Sequence, residues 1–401
     1  MNIGKYQMAH HNFYIYSNCD FSAKSAAATR MRYYASAIAD DANHVYLVSC
    51  CSNKLTDESF VELEPNIFVH ENKKLTRKML QSFSFLRDLN KFSIGKTGGD
   101  TFFLYPYPFF FLELMSVLYL IFFKKKNVYY ELNEVKKYGS DFHAPFSFKR
   151  PKYSLQKLVY KVVYRLMDYM MPFFKGVVCI SRNIEEYGRK YNKNTLRIPI
   201  LTDPYKAIET SKRQYSKQGA FNIGFSGSII PSKENLHEFV SIIEDLQKEN
   251  YKIALNLCGW LPKEEEGFIQ KDWTAENAIT YYGNLNELEL STFLSQQDLL
   301  VIPRGYNLQN HYGFSTKLSD YLNHKKVILV TDVSDYGMYI KDGVNGFIVP
   351  PDDKEQMYGK LVHIIENFKD FESQVIANAL KTSKEKFDYR IYSGALRDFL
   401  K

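Results

Sequence analysis

Twice along the chain, short apolar runs alternate with helix-length amphipathic segments, and this alternation restricts the fold more than any other feature. In the first half, residues 13–16, 45–48, 101–105, 127–131 and 176–180 read as strands. Between them, 26–39, 109–123 and 155–171 carry apolar residues at helical spacing. The pattern restarts in the second half, with strands at 221–225, 254–258, 279–282, 299–302 and 327–330 and helices at 237–248, 287–294 and 317–322. Each half therefore predicts an α/β domain built on a parallel, doubly wound sheet, whose ligands sit beyond the carboxyl ends of the strands. Two such domains facing each other place one site in a central cleft.

The chain has 401 residues, which at about 150 per domain suggests two to three domains. The expected division is a first domain over 1–203, a polar linker over 204–219 with Pro204 and four cations, a second domain over 220–385, and a terminal helix over 386–401 packing back on the first domain. Apolar residues at 45% and charged residues at 24% exclude a disordered or multi-span membrane chain. A formal charge of +7 is too mild and too evenly spread for a nucleic-acid binder and fits anionic small ligands or a membrane surface better. Cys19, Cys50, Cys51, Cys179 and Cys258 form no CxxC pair, so neither a zinc site nor a disulfide framework is expected, and a reducing compartment is. The first fifteen residues hold Lys5, His10 and His11 and no apolar run, so they do not read as a secretory signal. The longest apolar stretch, 102–123, is broken by Pro106, Pro108 and Glu113, leaving about fifteen residues where a span needs about twenty.

Candidate chemistry begins where the strand at 221–225 runs into Ser226, Gly227, Ser228 and, after a short loop, Lys233. A glycine there lets the backbone approach a ligand and a lysine meets phosphate charge, although the same pattern also makes a plain strand-to-helix turn. Further on, residues 303–330 read PRGYNLQNHYGFSTKLSDYLNHKKVILV. From Gly313 onward this resembles the donor-site signature of the group-1 retaining glycosyltransferases, the large family four of the GT-B superfamily, in the variant GFPTKLxEYLAxGxPVI. The segment 337–350, GMYIKDGVNGFIVP, resembles the family's stretch ending NGxLV.

The resemblance implies a GT-B architecture and a nucleotide-diphosphate sugar as donor substrate, with no further cofactor and no metal. Gly313, Phe314, Ser315 and Thr316 open a helix and can turn N–H groups toward a diphosphate, while Asp320, one turn further in, stands where the family's second Glu meets the ribose hydroxyls. The family's first Glu is replaced by Tyr312, with His311 beside it. The family's diphosphate Lys maps onto Lys233 and its Arg onto Ser228, so Arg304 or Lys317 is expected to supply the missing charge to the leaving group. With Gly227 and Tyr282 these residues form the expected donor set.

On the first domain, Glu131, Asn133 and Glu134 leave a strand where the family faces sugar and acceptor. Glu131 and Glu134 are the catalytic candidates there, and Asn133 an acceptor contact. His143 reads as a loop histidine. Ser25, at the first strand-to-helix junction, can offer a donor to the acceptor side or simply cap its helix. Lys124, Lys125 and Lys126 follow one aromatic-rich helix, and Lys152, Lys157, Lys161 and Arg165 punctuate another. Together they can meet anionic lipid, or form an ordinary solvated face.

The reading is a cytoplasmic enzyme, peripheral to the inner face of the cell membrane, that moves a sugar to a glycan or lipid-linked acceptor with retention in surface polysaccharide synthesis. A nucleotide-sugar epimerase of the same architecture and a non-catalytic partner protein are the alternatives. Asp352 and Asp353 fall in a late loop, so no metal-binding Asp-x-Asp follows a strand.

Overall fold

Apolar runs without alternation become strands buried on both faces, because helices cover both sides of a parallel sheet. The computed structural model describes residues 10–17, 21, 25–49, 60–70, 100–106, 110–139, 151–265 and 279–401. Cys19, Cys50, Cys51, Pro108, Phe109 and His143 lie outside the described residues. The chain divides into two compact units, one of Met1–Lys137, Asp141–Pro199 and Tyr389–Lys401, the other of Tyr138–Ser140 and Ile200–Asp388.

The first unit carries an eight-stranded sheet. Its strands are β1 (His11–Ser17), β2 (Asn43–Ser49), β3 (Phe60–Glu64), β4 (Ile67–His70), β5 (Asp100–Leu104), β6 (Asn127–Leu132), β7 (Gly176–Cys179) and β8 (Thr195–Arg197). They run in the order β3-β4-β2-β1-β5-β6-β7-β8. Among the described strands, only the β3–β4 edge pair is antiparallel. Helix Ala26–Ile38 buries Met31, Tyr34 and Ile38, and helix Phe110–Leu118 widens into a π turn over Tyr119–Phe123. The terminal helix Ser393–Phe399 belongs to this unit, with Phe399 against Tyr129 at 5.5 Å between ring centroids and the Leu400 carbonyl accepting from Thr101 Oγ1 at 3.0 Å.

The second unit holds six parallel strands, β9 (Phe221–Ser226), β10 (Ile253–Cys258), β11 (Ile279–Tyr281), β12 (Leu299–Ile302), β13 (Val327–Thr331) and β14 (Phe347–Val349). Their order is β11-β10-β9-β12-β13-β14. The chain builds outward from β9 to β11 and then returns to the other side of β9 with β12. The order therefore reverses between β9 and β12, and their carboxyl ends splay apart at a topological switch point. Helix Lys354–Lys386 seals this sheet, burying Met357, Leu361 and Ile364 in a core shared with Leu329 and Phe347.

The stretch 204–219, read as a linker, lies within the second unit. One aromatic anchors it: Tyr215 is fully buried and edge-on to Phe293, and the Ser211 N–H donates to Thr292 Oγ1 at 2.8 Å.

Helix Glu287–Ser295 opens with a reciprocal cap. Asn286 Oδ1 accepts from the Glu289 N–H at 3.0 Å, and the Glu289 carboxylate accepts from the Asn286 N–H at 3.1 Å. Asn286→Ala is expected to cost about 1 kcal/mol, read as a lower urea midpoint at unchanged slope for the transition of this unit. An unchanged midpoint would remove the cap from the stability account.

Candidate functional site

The switch point of the second unit gathers charge around one buried carboxylate. Glu234 ends the short helix Pro231–Glu234 that follows β9, and it is 1% exposed. Arg304, two residues beyond β12, donates to Glu234 from Nη2 at 3.1 Å and from Nε at 3.4 Å. Lys317, the first residue of helix Lys317–Asn323, donates from Nζ to Glu234 Oε1 at 2.7 Å. Two cations against one carboxylate leave a net positive charge at the carboxyl ends of β9 and β12.

Electrostatics follow from that geometry. Burial would raise the Glu234 carboxyl, but the charges of Arg304 and Lys317 outweigh it and hold the group at about 2. Burial pushes Lys317 down to about 8, with Glu234 opposing and Arg304 adding to the fall. Lys317 is thus a cation at neutral pH whose charge is lost at mildly alkaline pH.

Glycine makes this arrangement possible. Gly227 adopts φ +136, outside the range of most side chains, and a Cβ there would lie 2.3 Å from Lys317 Cε. Lys317 runs beneath the bare backbone with its Nζ 4.7 Å from the centre of the Phe225 ring. Neighbouring Gly259, at φ +122, would place a Cβ 2.1 Å from the Gly227 carbonyl oxygen, so its lack of a side chain lets the two loops close on each other.

Hydrogen bonds fix the surrounding loops. Tyr321 accepts the Ser226 N–H at 2.9 Å, tying the end of β9 to helix Lys317–Asn323. Thr331 Oγ1 donates to the Arg304 carbonyl at 2.6 Å, and Asn310 Nδ2 donates to the carbonyls of Lys233 and Gly305 at 2.7 and 2.8 Å.

Gly227, Arg304 and Lys317 are therefore brought together around Glu234, with Lys233 next to it in the chain and half-buried. Ser228 is half-buried in the loop that leaves β9. Asp320 is exposed, and its carboxylate accepts no hydrogen bond from the described residues. Surrounding protein pushes its pKa up and Lys206 pulls it back.

Other residues of the expected donor set serve the fold. The Gly313 N–H, expected to face a diphosphate, donates to the Gln309 carbonyl at 2.8 Å, because Gly313 closes the short helix Leu308–Tyr312. Phe314 is buried against Tyr336 and Tyr339, and buried Ser315 accepts the Lys317 N–H at 3.3 Å. Thr316 is half-buried and its side chain makes no capping bond. Tyr282 lies edge-on to Tyr215 and Phe293, with its hydroxyl 3.5 Å from Asn256 Oδ1.

On the first unit, Glu131 corrects the expectation of a sugar-facing carboxylate. It is fully buried and accepts from Arg30 Nε at 2.5 Å, while the same guanidinium donates to the carbonyls of Pro199 and Ile198 at 2.6 and 2.9 Å. A strand end that reads as open in sequence is closed by helix Ala26–Ile38. Asn133 and Glu134 are half-buried beyond the strand. Ser25 caps its helix, accepting the Ala28 N–H at 3.1 Å. Among the cysteines, Cys179 and Cys258 are buried free thiols.

Two Rossmann-like units with parallel sheets give the chain the GT-B fold. Within the chain, residues 220–367 match the family model of group 1 glycosyl transferases. An uncharacterized glycosyltransferase of Methanocaldococcus jannaschii is 23% identical over 192 residues, 48% of this chain and 50% of that protein. The match thus spans about half the length of this curated relative. Among solved structures, sucrose-phosphate synthase from Thermosynechococcus elongatus superposes with a TM-score of 0.71 at 12% identity, covering 97% of this chain and 98% of that one. Anabaena HepE, solved with UDP and glucose, gives 0.66 at 12% identity, covering 96% and 98%.

Proposed function

We propose that the protein transfers a sugar, with retention, from a nucleotide-diphosphate donor to a glycan or lipid-linked acceptor in surface polysaccharide synthesis. We place it on the cytoplasmic side of a membrane and require neither metal nor further cofactor for the transfer. The observation that carries this reading is the net cationic Arg304–Glu234–Lys317 cluster at the switch point, with the unpaired Asp320 carboxylate on the same helix as Lys317. A diphosphate leaving group gains charge as the sugar departs, and fixed cations stabilise it without a reorganisation cost. Asp320 supplies an acceptor for ribose hydroxyls. The group 1 family match and the UDP and glucose bound by HepE support a nucleotide-sugar donor.

A thermal-shift panel of UDP, GDP, ADP and TDP sugars tests the donor, because a ligand that binds only the native state raises its apparent stability. Product anomer analysis by NMR then tests retention. Donor isomerisation without acceptor would favour an epimerase, and no nucleotide binding at all would favour a non-catalytic partner.

Asp320→Asn is expected to weaken nucleotide binding about ten- to a hundredfold, the loss of a charge-assisted hydrogen bond, with the melting temperature held. Equal nucleotide affinity by calorimetry would take Asp320 out of the donor site.

A further inference from the structure

Helix Pro151–Met170 exposes an apolar stripe where a surface helix ordinarily shows polar residues. Leu155, Leu158, Val159, Val162, Leu166 and Tyr169 are each between 44 and 69% exposed. At 100° per residue all six fall within about 60° of one line along the helix. The opposite side turns inward, with Met167 and Asp168 buried. The stripe is therefore an apolar face left exposed on a helix whose other side packs inward.

The stripe continues onto a neighbouring element. The Phe173 ring, just past the helix, meets the Phe122 ring edge-on at 5.1 Å, and Phe123 beside it is 79% exposed. Lys124 and the exposed Lys125 follow directly. On the helix itself, Lys161 and Arg165 are exposed along one flank of the stripe. The helix has a single acid, Asp168, and it faces away, accepting from Lys137 Nζ at 2.9 Å.

We propose that this face docks on a bilayer surface containing anionic phospholipid. The apolar stripe lies in the headgroup boundary, and Lys161, Arg165, Lys124 and Lys125 meet lipid phosphates. An apolar stripe flanked by cations is the arrangement a helix needs to lie in the plane of an anionic interface. Charge also selects this occupant over a second copy of the chain. An isologous pairing through the stripe would bring two cationic flanks together with no described exposed acid on the helix to offset them, whereas lipid phosphate neutralises each one. The proposal rests on the membrane location proposed above and uses none of the residues assigned to sugar transfer.

Sedimentation with vesicles of phosphatidylcholine alone, or with phosphatidylglycerol added, tests it at low and high salt. The full-length protein is expected to bind the anionic vesicles at least about tenfold better at low salt, with the advantage shrinking as salt screens the cations. Two variants are compared: Val159→Gln/Val162→Gln/Leu166→Gln and Lys161→Glu/Arg165→Glu. All five positions are exposed, so both variants should keep the wild-type melting temperature and lose vesicle binding. Vesicle binding unchanged in both folded variants would overturn this face while leaving the membrane location intact. No vesicle binding by the wild type, with self-association abolished by the glutamine variant, would assign the stripe to a second copy. No binding and no self-association would overturn the proposal outright, and none of these results bears on donor binding.

Discussion

Replacing Glu234 by alanine is expected to destabilise the second unit by about 3–5 kcal/mol, enough to remove much of the stability of an ordinary domain. The cost comes from what is lost: Arg304 and Lys317, both largely buried, donate to this carboxylate, and alanine removes the counter-charge they share. Glu234→Gln should cost less, because an amide oxygen still accepts hydrogen bonds. Differential unfolding in urea gives the comparison, and equal stability of all three proteins would show that the cluster is not a structural keystone. The same group sets an acid limb. Its pKa in the folded protein, about 2, lies below the free value of 4.5, so its stabilisation is complete above about pH 4.5 and is lost as pH falls toward 2. That limb should flatten in Glu234→Gln.

Glu234 also marks where the sequence stops being informative. It sits in Pro-Ser-Lys-Glu-Asn, a polar stretch that reads as solvated, and its partners Arg304 and Lys317 lie 70 and 83 residues away. Only folding reveals that the carboxylate is buried. Glu131 shows the same limit: its partner Arg30 is 101 residues away, so the family resemblance placed at a ligand a group that is paired in the core. By contrast the strand ends that carry Gly227 and Arg304 follow from local periodicity, while the choice of Lys233, Arg304 and Lys317 rests on the resemblance of residues 303–330 to the family signature.

The fold divides along the same line. Both sheets follow from apolar runs such as Leu299–Ile302, buried throughout. The β3–β4 hairpin does not: Val61, Glu62, Leu63 and Glu64 alternate apolar and polar, but the run is short and all four are exposed on an edge strand, so no buried face marks it out. The long helix Lys354–Lys386 does carry its signal, with apolar side chains at Met357, Leu361, Ile364, Phe368, Phe371 and Val375 in steps of three and four.

Lys317→Met should separate structure from chemistry at the switch point, lowering kcat/KM for sugar transfer about 10²- to 10³-fold, the usual cost of removing one charge-stabilising donor. Methionine keeps the length that passes beneath Gly227 and leaves Glu234 paired with Arg304, so the cluster falls from a net positive charge to neutral while no buried charge is orphaned. Glu234→Gln does the opposite, raising the positive charge while costing stability, and it should bind donor at least as well as the wild type where it is folded. A merely structural cluster would weaken both variants alike. The pH profile adds a readout that packing cannot mimic. With Lys317 at about 8, wild-type kcat/KM should decline above about pH 8 as the ammonium loses its proton, and this alkaline limb should be absent from the Lys317→Met profile. A limb that persists in the variant would assign the ionisation elsewhere, and unchanged turnover would place the leaving-group charge on Lys233 and Arg304 alone.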